Sequence, residues 1–362
     1  MISCVDLFCG VGGLTHGLAS AGVSVVAGYD IDEACRFAYE TNNKSIFVNK
    51  DVAALTAEDI KKHWKSKEIS LLAGCAPCQP FSTYSRSSRK SKSDDKWELV
   101  RHFARIVAET QPDLVTMENV AELTRHSVFS DFLSVLEEYS IWYSIVDCRD
   151  YSVPQTRKRL VLLASRLGPI ELHKARPARC PTVYATISNL PKLEAGEADP
   201  NDSMHHACRL SPINLKRIRA SRPGGTWRDW PKSLRAYCHR EDSGETYPSV
   251  YGRMDWDDQA PTITTQCFGY GNGRFGHPEQ DRAITLREAA MLQTFPKSYR
   301  FLPKGQKVVF NVMGRLIGNA VPVRLGVAIG KTFVSHINDF CYTKNLSGRD
   351  VDRIRQKSTR NN

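Results

Sequence analysis

Over residues 1–165, short apolar runs alternate with segments of helical period. The runs Ile2–Phe8, Val23–Tyr29, Ile69–Ala73, Leu114–Met117, Tyr143–Asp147 and Leu160–Ala164 have the length and content of buried strands. Between two of them, Glu98–Glu109 places Leu99, Phe103, Ile106 and Val107 on one helical face. Such alternation predicts an α/β domain whose parallel sheet is covered on both sides, with ligands beyond the C-terminal strand ends. The pattern breaks near residue 170. Residues 171–280 are richer in Pro, Gly, Arg and Trp and lack the alternation, which predicts a smaller domain of irregular and β structure. Helical period returns at Leu286-Arg-Glu-Ala-Ala-Met-Leu-Gln293, and a last helix, about Pro322–Phe340, is expected to pack back on the first domain. The polar, basic tail from Lys344 is expected to fray.

Composition adds a partner class. The chain has 362 residues, enough for two domains, and a formal charge of +11 that favours a polyanion. Met204–Arg240 holds nine Lys/Arg against Asp229 alone, interleaved with Trp227, Trp230 and Tyr237, a composition suited to a nucleic-acid surface. Eleven cysteines without regular spacing fit a reducing cytosol rather than a disulfide framework. The N-terminus runs straight into a strand without a signal peptide, and no apolar run approaches the ~18 residues of a membrane span. A soluble cytoplasmic protein with no membrane partner is expected.

The most informative tetrapeptide is Pro77-Cys78-Gln79-Pro80, directly after the run Ile69–Gly74. Prolines stiffen the backbone on both sides and present the thiol to a cleft. Thiolate is the reactive form. Cys75-Ala-Pro-Cys78 also reads as a redox pair, and a zinc site would need a second Cys/His pair at similar spacing, which the chain lacks. His205, His206 and Cys208 have no further ligands at suitable spacing, so no metal is expected.

Other candidates flank the same sheet edge. Asp6–Gly13 is a strand entering a glycine-rich turn, with Thr15 where the third glycine of a dinucleotide fingerprint would stand. Asp30 ends the next strand, placed to accept from ribose hydroxyls, and Asp51 could accept from an adenine amino group. These point to a nucleoside-containing ligand, or alternatively to a tight structural turn. Glu118 ends another strand and reads as an acid/base or base-anchoring group, or as a first-turn helix charge. Arg157 and Arg159, in Gln155-Thr-Arg-Lys-Arg159, could bind phosphate or orient that carboxylate, or form a surface cluster.

Taken in order, Asp6–Gly13, Pro77-Cys-Gln79, Glu118-Asn-Val120, Gln155-x-Arg157-x-Arg159, Arg287-Glu-x-x-x-Leu-Gln-x-Phe-Pro296 and Gly318-Asn-Ala-Val-Pro322 closely resemble the motifs of the bacterial-type DNA cytosine-5 methyltransferase family. The resemblance spans nearly the full length. It implies a Rossmann-like S-adenosyl-L-methionine-dependent domain over 1–170 plus 315–345, a mostly irregular/β target-recognition domain over 171–314, and a flexible basic tail over 346–362.

The resemblance also implies a chemistry. Cys78 matches the nucleophile that adds to C6 of a flipped-out cytosine, and Glu118 the group that holds the base through N3 and its exocyclic amine. Arg159 matches the arginine at the base edge and Arg157 its motif partner, structural or phosphate-facing. Phe8, Gly10, Gly12, Asp30, Ile31, Asp51, Val52, Pro77, Asn319 and Val321 match the cofactor pocket, although the family more often carries glutamate where Asp30 stands. Gln79, Ser82, Thr262 and Thr264 match DNA contacts, and Ser85–Lys96, with five basic residues against two acids, a lid over phosphates. The implied partners are double-stranded DNA and, functionally, a cognate restriction endonuclease. A monomer near the bacterial nucleoid is expected. Transfer to tRNA and a catalytically idle DNA-binding regulator remain the alternatives.

Overall fold

The structure is a computed structural model describing residues 1–65, 68–77, 97–174, 179–241 and 248–358, the last sixteen or so as helical backbone alone. Cys78, Gln79, Ser82 and the expected lid Ser85–Lys96 lie outside the described residues.

Strands β1 (Ile2–Leu7), β2 (Ser24–Asp30), β3 (Ile46–Asn49), β4 (Ile69–Gly74), β5 (Leu114–Asn119), β6 (Ser140–Asp147) and β8 (Lys158–Ser165) form one seven-stranded sheet in the order β3-β2-β1-β4-β5-β8-β6. A two-residue β7 (Gln155–Thr156) lies outside it. The first five strands are parallel, whereas β8 runs antiparallel to both β5 and β6. The parallel sheet expected from the alternation is thus present in β1–β5, with β8 reversed beside it. The connection from β6 to β8, residues 148–157, carries one turn of 3-10 helix and β7, and is shorter than the dozen or more residues that a parallel return needs.

Helices α1 (Gly13–Ser20), α2 (Arg36–Asn42), α3 (Ala57–Lys61), α4 (Glu98–Thr110) and α5 (Ser127–Ser134) alternate with these strands. Alternation of side chains along β1 explains the layers. Val5 and Leu7 join Phe103, Val107 and Phe132 of α4 and α5 on one face. Ile2 and Cys4 join Leu14 and Leu18 of α1 on the other, together with Leu325, Ile329 and Phe333 from the far end of the chain. Those three belong to α10 (Val323–Ser358), which starts where the reading placed it and continues beyond Phe340. Before it come α6 (Val183–Ile187), α7 (Pro212–Arg219), α8 (Leu286–Leu292) and α9 (Phe310–Asn319), with the short strands β9 (Ala198–Asp199), β10 (Asp202–His206) and β11 (Ala260–Pro261).

The contact of α1 with α10 is a glycine seam. A Cβ on Gly17 would stand 2.4 Å from the Val323 carbonyl oxygen and 2.7 Å from Gly326 Cα, backbone against backbone. Gly17→Ala must therefore push the helices apart, and overpacking of this kind costs about 1–3 kcal/mol. The expected result is a lowered thermal midpoint; an unchanged one would show that the seam is loose. The segment Phe310–Tyr342 is also apolar and long enough to cross a bilayer by composition, which the run-length reading missed. It is two helices broken at Ala320–Pro322, and more than half of its most apolar window is buried inside the protein, as in a core helix of a soluble fold.

The middle of the chain has its own small core of Ile218, Trp227, Trp230, Tyr270 and Ala283. Trp227 and Trp230 are 2% exposed, so they are not the stacking surface their basic setting suggested; Tyr237, at 79%, is exposed. Arg217, Arg228 and Arg235 lie over these rings, packing their charge on the outside of the cluster.

Next to this core, Arg282 donates two hydrogen bonds of 2.8 Å to Glu288, both buried. His277 packs beside them, its Nδ1 accepting from the amides of Glu279 and Gln280. Burial lowers the His277 pKa from 6.5 to about 4, while Arg282 and His277 hold Glu288 at about 2. The unfolded chain thus binds a proton near pH 6.5 that folded His277 refuses until about pH 4. Its contribution is full above pH 6.5 and is lost as pH falls toward 4; the Glu288 contribution is lost only between 4.5 and about 2. Thermal melts should therefore fall between pH 7 and 5, and His277→Asn, which keeps an acceptor, should flatten that slope. An unchanged slope would move its origin elsewhere.

Candidate active site

Two sets of groups meet at the C-terminal edge of the parallel strands. The first is the turn after β1. Phe8, Gly10 and Gly12 all have positive φ, at 57°, 52° and 86°. The turn is braced from the end of β2, where Asp30 Oδ2 accepts from the Gly10 amide and Oδ1 from the Asp32 amide, each at 2.9 Å. Burial raises the Asp30 pKa despite those bonds. A Cβ on Gly10 would meet no atom within 4 Å, so the turn faces open space. Ile31 stands beside it 53% exposed, an apolar platform with no cover among the described residues. Val52 is buried, and exposed Asp51 accepts from the Ala53 amide at 2.9 Å.

Beneath the turn, fully buried Asp6 accepts from Thr15 Oγ1 at 2.6 Å, and its Oδ1 has no hydrogen-bond partner among the described residues. Burial raises its pKa to about 7. Thr15, which breaks the dinucleotide fingerprint, is thus the donor to one oxygen of this carboxyl.

The far C-terminal segment closes the other side. A Cβ on Gly13 would stand 2.3 Å from the Val321 carbonyl oxygen, so the loop after α9 lies directly on the turn. Val321 is buried and Asn319 exposed. Arg315 of α9 pairs with Asp32 at 2.6 Å, and Tyr299 donates to the Val11 carbonyl.

The second set surrounds Glu118 at the end of β5. Its carboxylate is 3% exposed. Arg159, on the neighbouring β8, brings Nε to 3.1 Å from Oε1 as an ion pair. It does not hydrogen-bond it, so Oε1 is buried without a hydrogen-bond partner among the described residues. Oε2 accepts from the Cys75 thiol at 2.8 Å. Asn119 Nδ2 donates to the Ala76 carbonyl at 2.9 Å, tying β5 to the segment that leads through half-buried Pro77 to Cys78.

Arg157 faces the other way. Its guanidinium is buried and donates to the carbonyls of Ile263 (3.1 Å), Gly318 (3.4 Å) and Ala320 (3.5 Å). Burial, then Arg159, lowers its pKa to about 10. A phosphate-facing Arg157 is therefore corrected: the side chain is locked inside the protein, where it positions backbone.

The sequence reading did not single out two glutamines that join this lock. Gln155 Nε2 donates to Gln293 Oε1 at 2.8 Å and its Oε1 accepts from the Ile263 amide; Gln293 donates to the Ile317 carbonyl at 2.9 Å. Both are fully buried, although glutamine is a residue type usually left at the surface. They hold β7 against β11, and so present Thr262, which donates to the Thr156 carbonyl at 2.7 Å, and exposed Thr264. Among the described residues no cluster of three or more His, Cys, Asp or Glu could hold a metal.

Chemically, the edge combines an open, glycine-lined turn with carboxyls that can accept from a nucleoside, and a buried carboxylate with one oxygen hydrogen-bonded and the other, ion-paired with Arg159, without a hydrogen-bond partner among the described residues. A model of the C-5 cytosine-specific DNA methylase family matches residues 2–335. The type II methylase M.HgiDII of Herpetosiphon aurantiacus is 51% identical over 337 residues, covering 91% of this chain and 94% of that one. The type II methyltransferase M.Sau96I of Staphylococcus aureus is 28% identical over 92% of this chain and 76% of its own. Among solved structures, an Escherichia coli prophage protein described as a DNA modification methyltransferase shares the fold, with a TM-score of 0.71 at 23% identity over 93% of this chain and all of that one. The Spodoptera frugiperda DNMT2 structure matches with a TM-score of 0.63 at 19% identity, over 92% and 99%.

Proposed function

The chain belongs to the C-5 cytosine-specific DNA methylase family, and from that premise we propose that it methylates C5 of a flipped-out cytosine within one short double-stranded DNA sequence, through a covalent bond between Cys78 and C6. The observation that carries the reading is the Glu118 carboxylate: buried, paired with Arg159, and with one oxygen that has no hydrogen-bond partner among the described residues, beside the strand end that leads to Cys78. A buried acceptor without a partner is costly, and a ligand that supplies a donor removes that cost.

In this mechanism Glu118 holds the cytosine edge, with Arg159 beside it, and draws electron density toward N3 so that C6 accepts the Cys78 thiolate. Addition at C6 makes C5 nucleophilic. After alkylation, loss of the C5 proton and of the sulfur restores the ring. A cytosine in a duplex is out of reach, so the base leaves the stack at a cost of a few kcal/mol.

The turn at Phe8–Gly12 fits S-adenosyl-L-methionine: the open face at Gly10 gives the methionine and sugar room, Asp30 offers its remaining lone pairs to the ribose, and exposed Ile31 an apolar face to the adenine. Asp51, Val52, Pro77, Asn319 and Val321 complete the same side of the edge. When bound, the cofactor supplies an electrophilic methyl group. Gln79, Ser82, Thr262 and Thr264 are assigned to DNA contacts, with the duplex between a catalytic part, 1–170 plus 315–345, and a recognition part, 171–314. The protein acts as a soluble cytoplasmic monomer, as the modification half of a restriction–modification pair or as an orphan.

Bisulfite sequencing of plasmid DNA from a methylation-free host expressing the protein tests this. Unconverted cytosines in a single short context are expected. Complete conversion with soluble protein present would overturn the reading, and labelled tRNA would be the next acceptor to try.

A further inference from the structure

We propose that Cys75 is a positioning residue for the reaction: by donating its thiol proton to Glu118 Oε2 it fixes the rotation of the carboxylate, so that Oε1 is the oxygen presented to the cytosine. The inference rests on the reading of Glu118 as the base-holding group.

Three observations support it. The Cys75–Glu118 contact, at 2.8 Å, joins the ends of two parallel strands, β4 and β5, from residues 43 positions apart. The two carboxylate oxygens are unlike: Oε2 is occupied by the thiol, while Oε1 is buried without a hydrogen-bond partner among the described residues. Arg159 approaches Oε1 as an ion pair, without the geometry of a hydrogen bond, so no described residue donates to that oxygen. A carboxylate with neither oxygen held would rotate about its terminal bond, since such sp³–sp² torsions are broad. With Oε2 held, one orientation persists and Oε1 is set before the base arrives, which is preorganisation in the usual electrostatic sense.

The thiol suits this task because it stays protonated. Burial, then the Glu118 charge, raises the Cys75 pKa well above that of a free cysteine. A redox partner or a nucleophile needs the thiolate, so the same surroundings that make Cys75 a donor make it a poor member of a Cys-x-x-Cys couple. Arg159, Arg157, Cys148 and Asp6 are the other charged or titratable groups acting on this pair from β8, β1 and the turn after β6.

The test is single-turnover methylation of a duplex carrying the target, for wild type and for Cys75→Ser, Cys75→Ala and Cys75→Val. Serine keeps a donor; alanine and valine do not, and valine keeps the volume. Cys75→Ala and Cys75→Val are expected to slow the chemical step by about 10- to 100-fold, with DNA and cofactor affinities little changed. Cys75→Ser should restore the rate to within about threefold. A wild-type rate in the alanine or valine variant would overturn the inference. So would equal loss in all three variants, the pattern of a packing residue. Failure of wild type to methylate any duplex would instead overturn the reading of the site, so the two failures are distinct.

Discussion

Cys78→Ser is expected to abolish methyl transfer, with a loss on the order of 10³-fold or more, while leaving duplex binding largely intact. The loss follows from the nucleophile. A serine hydroxyl is barely ionised at neutral pH, whereas a thiol near positive charge is substantially so and is intrinsically more nucleophilic. Binding is expected to survive because affinity for a duplex rests mainly on contacts to phosphates, and the chain's charge of +11 comes from residues other than Cys78. Two measurements separate the steps: transfer of a labelled methyl group, and capture of a duplex containing 5-fluorocytosine. Fluorine at C5 cannot leave as a proton does, so the wild-type adduct should persist through denaturation and the variant should form none. Transfer by Cys78→Ser at near the wild-type rate would remove Cys78 as nucleophile and leave the reaction without a covalent route.

Glu118→Gln is expected to cost on the order of 10²–10⁴ in the single-turnover rate, with little change in thermal stability. The substitution keeps the shape of the side chain and an acceptor oxygen. It removes the charge and the ability to share a proton with N3, and it gives Arg159 a neutral neighbour at 3.1 Å. Because Arg159 is only partly buried, water can reach its guanidinium, which keeps the stability effect small. A variant that retains the wild-type rate would show that Glu118 is a structural counter-ion. One that unfolds would show that the Arg159 pair is a stability element first.

Much of this was legible before any coordinates. The six strands named from the sequence are all present; five are largely buried, as continuous apolar runs require, and the edge strand β6 is half-exposed. Strand direction leaves no such mark, so the reversal of β8 was invisible in its composition. β3 was not among the named runs: it is four residues long, and Ile46 at its start is exposed. The pairing of Glu118 with Arg159 was legible where both stand inside the motifs themselves. The site was not legible where a role depends on distant partners. Cys75 read as half of a redox pair, since only folding brings it to Glu118. Gln155 and Gln293 stood inside recognised motifs without an evident task, until the fold joined them across 138 positions. Trp227 and Trp230 misled for the opposite reason: a basic neighbourhood describes the outside of a core as readily as a binding face.

The contact of Val321 with Gly13 has a consequence for how the protein is made. The turn that opens the chain is walled by a loop that leaves the ribosome some three hundred residues later. Contacts of such sequence separation form late, since loop closure must precede any reward from them. A polypeptide interrupted anywhere before that loop can build β1 and its turn yet leave the pocket without one side. The wall that Val321 provides is thus among the last parts of the chain to be synthesised.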